Sequence, residues 1–153
     1  MGGFNNKTAV YAPVKGAAKI LDKVNDKMFS TKALGDGFAI EPVNETIVSP
    51  VEGTVMSIFP TKHAISVKTK KGLEVLIHIG IDTVELNGTG FSICVSEGEK
   101  VSSRTEIAKV DFDYLKAEGK DSDVIVIFTN LEKKVLAITE GQKNLGEEIG
   151  LIK

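Results

Sequence analysis

The sequence has one cysteine, no tryptophan, four prolines and two histidines among its 153 residues, and each scarcity excludes something. A lone Cys94 forms no internal disulfide, which fits a reducing compartment and makes the cytoplasm the expected location. Long apolar runs are missing as well. The longest, residues 75–81, is interrupted by His78 and falls far short of the ~20 residues a membrane helix needs, so direct membrane insertion is not expected. No leader of charged, then apolar, then small residues opens the chain, so a secretory signal is not expected either. An excess of one charge is lacking too. With 19 basic against 21 acidic residues the net charge is −2, and without a basic stripe the chain is no electrostatic nucleic-acid binder. Apolar content of 42% beside 26% charged residues excludes wholesale disorder. The polar, glycine-rich residues 1–9 read as a flexible tail, ahead of a single domain over residues 10–153.

What the sequence does have is many short runs rich in Val, Ile and Phe, punctuated by 15 glycines and four prolines. Strands are expected over 10–14, 38–42, 47–51, 53–59, 64–69, 73–79, 91–95, 107–110, 124–128 and 135–138. Helical periodicity is weak. Residues 111–117 make at most one or two turns, with Asp111 as the cap and Gly119 beyond the stop. The expected fold is all-β: an antiparallel sandwich or barrel of many short strands.

Both histidines, His63 and His78, fall in one expected hairpin around the turn Lys70-Lys71-Gly72. A two-residue loop would set His63 directly opposite His78 on one face. A three-residue loop with Gly72 left-handed would pair Val67 with Val75 and Ile65 with Ile77, a cleaner apolar face. It would then turn His63 away from His78 unless the strand is interrupted near Pro60. Burying imidazole costs free energy unless its nitrogens find partners, so two converging histidines in the most apolar strand region point to a site. They are half of a tetrahedral zinc set. A self-sufficient zinc site is therefore not expected, and a zinc ion shared by His63 and His78 would be adventitious or regulatory. The other chemistry open to them is covalent: a neutral imidazole is a good nucleophile near pH 7, and a second imidazole can hydrogen-bond an anionic group carried by the first.

The run Thr61-Lys62-His63-Ala64, followed by Leu76-Ile77-His78-Ile79-Gly80-Ile81-Asp82-Thr83-Val84, resembles the glucose-family enzyme IIA component of the bacterial phosphoenolpyruvate-dependent sugar phosphotransferase system. The resemblance extends from Ala12-Pro13-Val14-Lys15-Gly16, through Gly35-Asp36-Gly37-Phe38 and Ser49-Pro50-Val51-Glu52-Gly53, to Glu140-Gly141. It implies a β-sandwich that takes a phosphoryl group from the phosphohistidine of the carrier HPr. The group then passes to the cysteine of a IIB domain of a sugar permease. It also implies that His78 is the phosphoacceptor, that His63 stabilises the phosphoryl group and that Thr61 orients His63. Asp36 and Asp82 would border the site and meet partner arginines, and Phe38 and Phe59 would form an exposed apolar docking ring. The domain is expected to act as a monomer. The alternative is a regulatory binding module of the same fold that transfers no phosphate, and the presence of both histidines argues against it. Biotinyl or lipoyl carriers are disfavoured because neither a Met-Lys-Met nor an Asp-Lys-Ala tripeptide occurs.

Overall fold

The run Val124–Phe128 is apolar at all five positions and buried throughout, as a central strand covered on both faces must be. In the computed structural model, which describes residues 7–153, it lies inside an eight-stranded antiparallel sheet. Fourteen strands are present among the described residues: β1 (Thr8–Tyr11), β2 (Gly16–Ile20), β3 (Asp36–Pro42), β4 (Thr46–Val48), β5 (Gly53–Ile58), β6 (Ala64–Lys68), β7 (Glu74–Ile79), β8 (Phe91–Ile93), β9 (Lys100–Val101), β10 (Glu106–Val110), β11 (Val124–Phe128), β12 (Leu136–Ile138), β13 (Gly141–Lys143) and β14 (Glu148–Ile152). The large sheet runs β13-β2-β3-β11-β7-β6-β5-β9, and two three-stranded sheets, β1-β14-β12 and β4-β10-β8, complete the sandwich. The antiparallel all-β fold is as expected.

Among the described residues two α-helices interrupt the strands. In α2 (Phe112–Ala117) the Asp111 carboxylate accepts from the Tyr114 N–H, and Gly119 follows with φ +75°, matching the cap and stop read from sequence. The other helix, α1 (Lys27–Ser30), is a single turn capped by Asp26, whose carboxylate accepts from Met28 N–H.

Alternation along the strands divides the large sheet into two faces. Phe38, Ile40, Val75, Ile77, Ile79, Val124, Val126 and Phe128 point inward and pack with residues of the smaller sheets, such as Val10, Ile47, Ile107 and Ile152. The opposite face carries Ala39, Leu76, Ile125 and Ile127. Part of it is covered by the segment after β2, through Leu21, Val24 and Phe29. His78 belongs to this second face, since it sits between Ala64 and Ile125 in a row of directly paired residues that continues to Ala39 and Lys19.

Several boundaries differ from expectation. The chain enters its first strand at Thr8, paired with Ile152, so of the tail expected over residues 1–9 Thr8 and Ala9 belong to the sandwich, and residues 1–6 lie outside the described residues. Strands β2, β9, β13 and β14 were not expected. Gly16-Ala17-Ala18-Lys19 has no β-branched residue and is held as strand by two neighbours, β3 and β13. There pairing overrides local propensity.

Candidate functional site

The β6–β7 hairpin takes the odd register. Lys68 pairs with Glu74, Val67 with Val75 and Ile65 with Ile77, and Gly72 occupies the left-handed position at φ +92°. A regular continuation of β6 would turn His63 inward with Ile65. The chain avoids this by leaving the strand: β6 begins only at Ala64 and Lys62 is left-handed at φ +61°. The turn is closed by Lys62 N–H donating to Phe59 C=O at 2.8 Å, and Phe59 N–H donates to Ala64 C=O at 3.0 Å. The Ile79 N–H then donates to the His63 carbonyl at 2.7 Å, tying this turn to the end of β7. The interruption near Pro60 is thus what lets His63 meet His78. Their ring centroids are 4.9 Å apart with planes at 79°.

Each imidazole is held through Nδ1. His78 Nδ1 lies 2.8 Å from the Gly80 carbonyl oxygen, which only accepts, so Nδ1 carries the proton and the Nε2 lone pair is left for chemistry. The Gly80 carbonyl is itself fixed. Gly80 has φ +78°, its N–H donates to the Asp123 carbonyl at 2.8 Å, and a Cβ there would sit 2.5 Å from the Thr83 methyl. Thr61 Oγ1 is 2.7 Å from His63 Nδ1, a hydroxyl that either donates or accepts. Phe59 meets the His63 ring edge-on at 5.5 Å between centroids, and Phe29 lies 5.0 Å from the His78 ring.

Both rings titrate below the usual histidine range. Burial, reinforced by the neighbouring His78, pushes His63 down to about 4. Burial also lowers His78, opposed by the Gly80 carbonyl and by the charges of Asp26 and Asp82. Both imidazoles are therefore neutral near pH 7. The consequence for stability has a definite sign. The unfolded chain binds a proton on His63 near pH 6.5 and the folded chain only near 4, so this contribution is present above 6.5 and lost as pH falls through that window. Urea midpoints at pH 7 and pH 4 are expected to fall less for His63→Gln than for the parent; an equal fall in both would show that His63 is not held neutral.

One of the expected site residues is placed elsewhere. Phe38 is fully buried in the inner core, because Ala39 occupies the row of His78 and alternation sends Phe38 to the other face. Asp36 opens β3 in the row of Phe128 and Val75. Its carboxylate lies 3.7 Å from the Lys32 ammonium and accepts from the Gly37 N–H. Phe59, 39% exposed, and Asp82, exposed at φ +61°, do border the site. The residues that sequence reasoning missed are Asp26 and Phe29, on the single turn of α1, with the exposed Met28 between them. Their one readable signal was the cap: an Asp directly before Lys-Met-Phe. Among the described residues no group of three or more His, Cys, Asp or Glu side chains surrounds the histidines. A zinc ion here would have only two protein donors from this chain.

Residues 8–134 match the family model described as the phosphoenolpyruvate-dependent sugar phosphotransferase system, EIIA 1. Over 121 residues the chain is 50% identical to the PTS system glucose-specific EIICBA component of Streptococcus pneumoniae, covering 79% of this chain and 17% of that protein. It is 40% identical over 145 residues to the glucose-specific EIICBA component of Staphylococcus carnosus and 41% identical over 144 residues to the glucoside-specific one, each match covering 94% of this chain. The chain spans about a fifth of the length of these curated relatives, 22% and 21% for the latter two. Among solved structures, glucose permease IIA from Mycoplasma capricolum superposes with a TM-score of 0.89 at 38% identity, covering 97% of both chains.

Proposed function

The chain belongs to the EIIA 1 family of the phosphoenolpyruvate-dependent sugar phosphotransferase system, and from that premise we propose that His78 is its phosphoacceptor, loaded by phospho-HPr and discharged to a IIB cysteine. The phosphoryl-carrier role follows from the family. The assignment to His78 rests on one observation: its Nδ1–H is held by the Gly80 carbonyl, leaving Nε2 as the lone-pair nitrogen in a rigid ring. In the loading step Nε2 forms a new N–P bond while the donor's N–P bond breaks, its electron pair returning to the donor nitrogen. The positive charge gained by the His78 ring is shared through Nδ1–H with the Gly80 carbonyl. The Thr61 hydroxyl donates to His63 Nδ1, which places the proton of neutral His63 on Nε2, where it hydrogen-bonds a phosphoryl oxygen. Phosphoryl transfer of this kind is positioning plus charge stabilisation, and a donor that is already a phosphoramidate supplies the driving force.

The identity of the sugar lies outside this domain in our reading. A glucose-specific and a glucoside-specific relative are almost equally similar to it, so overall similarity does not separate the two sugars. A cytoplasmic location fits a chain in which no described helix is long and apolar enough to cross a membrane. Any zinc bound by His63 and His78 would take its other ligands from solvent or a docked protein, and the transfer does not call on it. The test is direct. Incubation with phosphoenolpyruvate, enzyme I and HPr is expected to add one acid-labile phosphate, and its location by mass spectrometry at alkaline pH checks the residue.

The acidic border has its own expected effect. Asp26→Asn with Asp82→Asn keeps the helix cap and tolerates the left-handed backbone, while removing the two charges that act on His78. Association with HPr is expected to slow several-fold at low ionic strength and to lose most of its salt dependence. The His78 titration, followed by NMR, should move further down. An unchanged salt dependence would remove these carboxylates from the docking surface.

A further inference from the structure

At the far end of the β6–β7 hairpin, roughly 20 Å along the strands from the histidines, a groove of about 920 Å³ lies between the outer strands of two sheets. One wall is β1, the edge of a three-stranded sheet. The other is formed by the start of β5 and by β9, the edge of the large sheet. Five lysines line it, Lys7, Lys68, Lys70, Lys71 and Lys100, against one carboxylate, Glu52. This is a charge of +4 in a chain whose net charge is −2, which leaves the rest of the molecule at −6. Lys68, Lys70 and Lys100 are exposed and form no ion pair among the described residues, so their charge is not spent on a neighbour. The volume falls within the range of small-molecule sites.

We infer that this groove binds a small anion carrying two or more linked phosphates, separate from the phosphoryl group handled at the histidines. The donor chemistry selects the class. Lysine ammoniums act as point charges that suit phosphate oxygens, whereas planar carboxylates are best matched by arginine, and the chain's single arginine, Arg104, does not line the groove. An acidic peptide adding as a strand is disfavoured, because β9 is only two residues long and lysine on an edge strand resists strand addition. Five lysines converging from three separate segments favour a ligand whose charges are several and close together, since each pairwise attraction is small in water and they accumulate.

The test is titration of the intact domain by NMR and calorimetry with inorganic tripolyphosphate. Orthophosphate, hexaglutamate and phosphatidylserine vesicles form parallel arms. Saturable tripolyphosphate binding is expected, with shifts confined to residues 7–9, 52–54, 68–71 and 100–102. Affinity should fall with added salt and weaken at least about tenfold in Lys68→Gln/Lys70→Gln/Lys100→Gln. That variant should still accept phosphate on its histidine at the parent rate, which shows that it folds. The inference fails if tripolyphosphate does not saturate or binds no more tightly than orthophosphate, or if hexaglutamate or vesicles bind more tightly. It also fails if the triple variant binds like the parent, or if the shifts centre on His63 and His78.

Discussion

His78→Gln is expected to abolish phosphoryl acceptance from phospho-HPr, a loss of at least roughly a thousandfold, while leaving the circular dichroism spectrum and thermal midpoint close to the parent. The reason is local. Glutamine fills a similar volume at the edge of the Phe29 cluster and its amide can still donate to the Gly80 carbonyl, so the fold keeps its contacts. What it lacks is a nitrogen lone pair able to form an N–P bond. The only other imidazole, His63, is not expected to substitute: with Nδ1 engaged by Thr61 its Nε2 carries the proton in place of a lone pair, and the residue is buried with Phe59 packed edge-on against it. Acid-labile phosphate counted on the variant checks the expectation. Phosphate found on His63 of His78→Gln would overturn the assignment of roles.

The same geometry shows what could be read from the chain and what could not. The strands 64–69, 73–79 and 124–128 were visible because β-branched residues cluster in them, and the run 124–128 matches β11 at both ends. The hairpin register was narrowed to two, and the one adopted is the one with the cleaner apolar face, aligning Ile65 with Ile77 and Val67 with Val75. The shared location of the two histidines followed from either register, but the left-handed Lys62 that allows them to face each other leaves no mark in a sequence where lysine is common. The order of strands across the sheet was not legible at all. Without knowing that β11 lies between β3 and β7, alternation along 36–42 cannot say whether Phe38 or Ala39 shares a face with His78. That is why Phe38 was expected in an exposed ring at the site, whereas it is buried and Phe29 is the ring that packs against His78. A single helical turn such as α1 has no periodicity to detect; only its Asp26 cap announces it.

The second large effect separates loading from discharge. His63→Gln is expected to accept phosphate from HPr within a few-fold of the parent rate yet to pass it to a IIB cysteine about a hundredfold more slowly. In the loading step one neutral imidazole replaces another at phosphorus, so the total charge in the transition state does not rise. Discharge is different, because a thiolate must approach a phosphoryl group that is already anionic. Here a fixed N–H donor beside the phosphoryl oxygens contributes most, and its contribution is largest where burial lowers the local dielectric. The surroundings of His63 match what this proposed role calls for. Thr61 fixes its ring from one side, Phe59 packs against its edge, and burial keeps it neutral with a titration point of about 4. Glutamine retains an amide donor but is a flexible chain that the Thr61 hydroxyl no longer locks, so the donor is present without being positioned. Thr61→Val should show the same split in weaker form, since it leaves the imidazole in place and removes only the hydroxyl at its Nδ1, to which we assign the setting of its tautomer. Single-turnover rates for the two half-reactions, measured on the same preparations, check both variants. Equal slowing of loading and discharge in His63→Gln would mean that His63 serves the shape of the site and not the charge of the departing phosphoryl group.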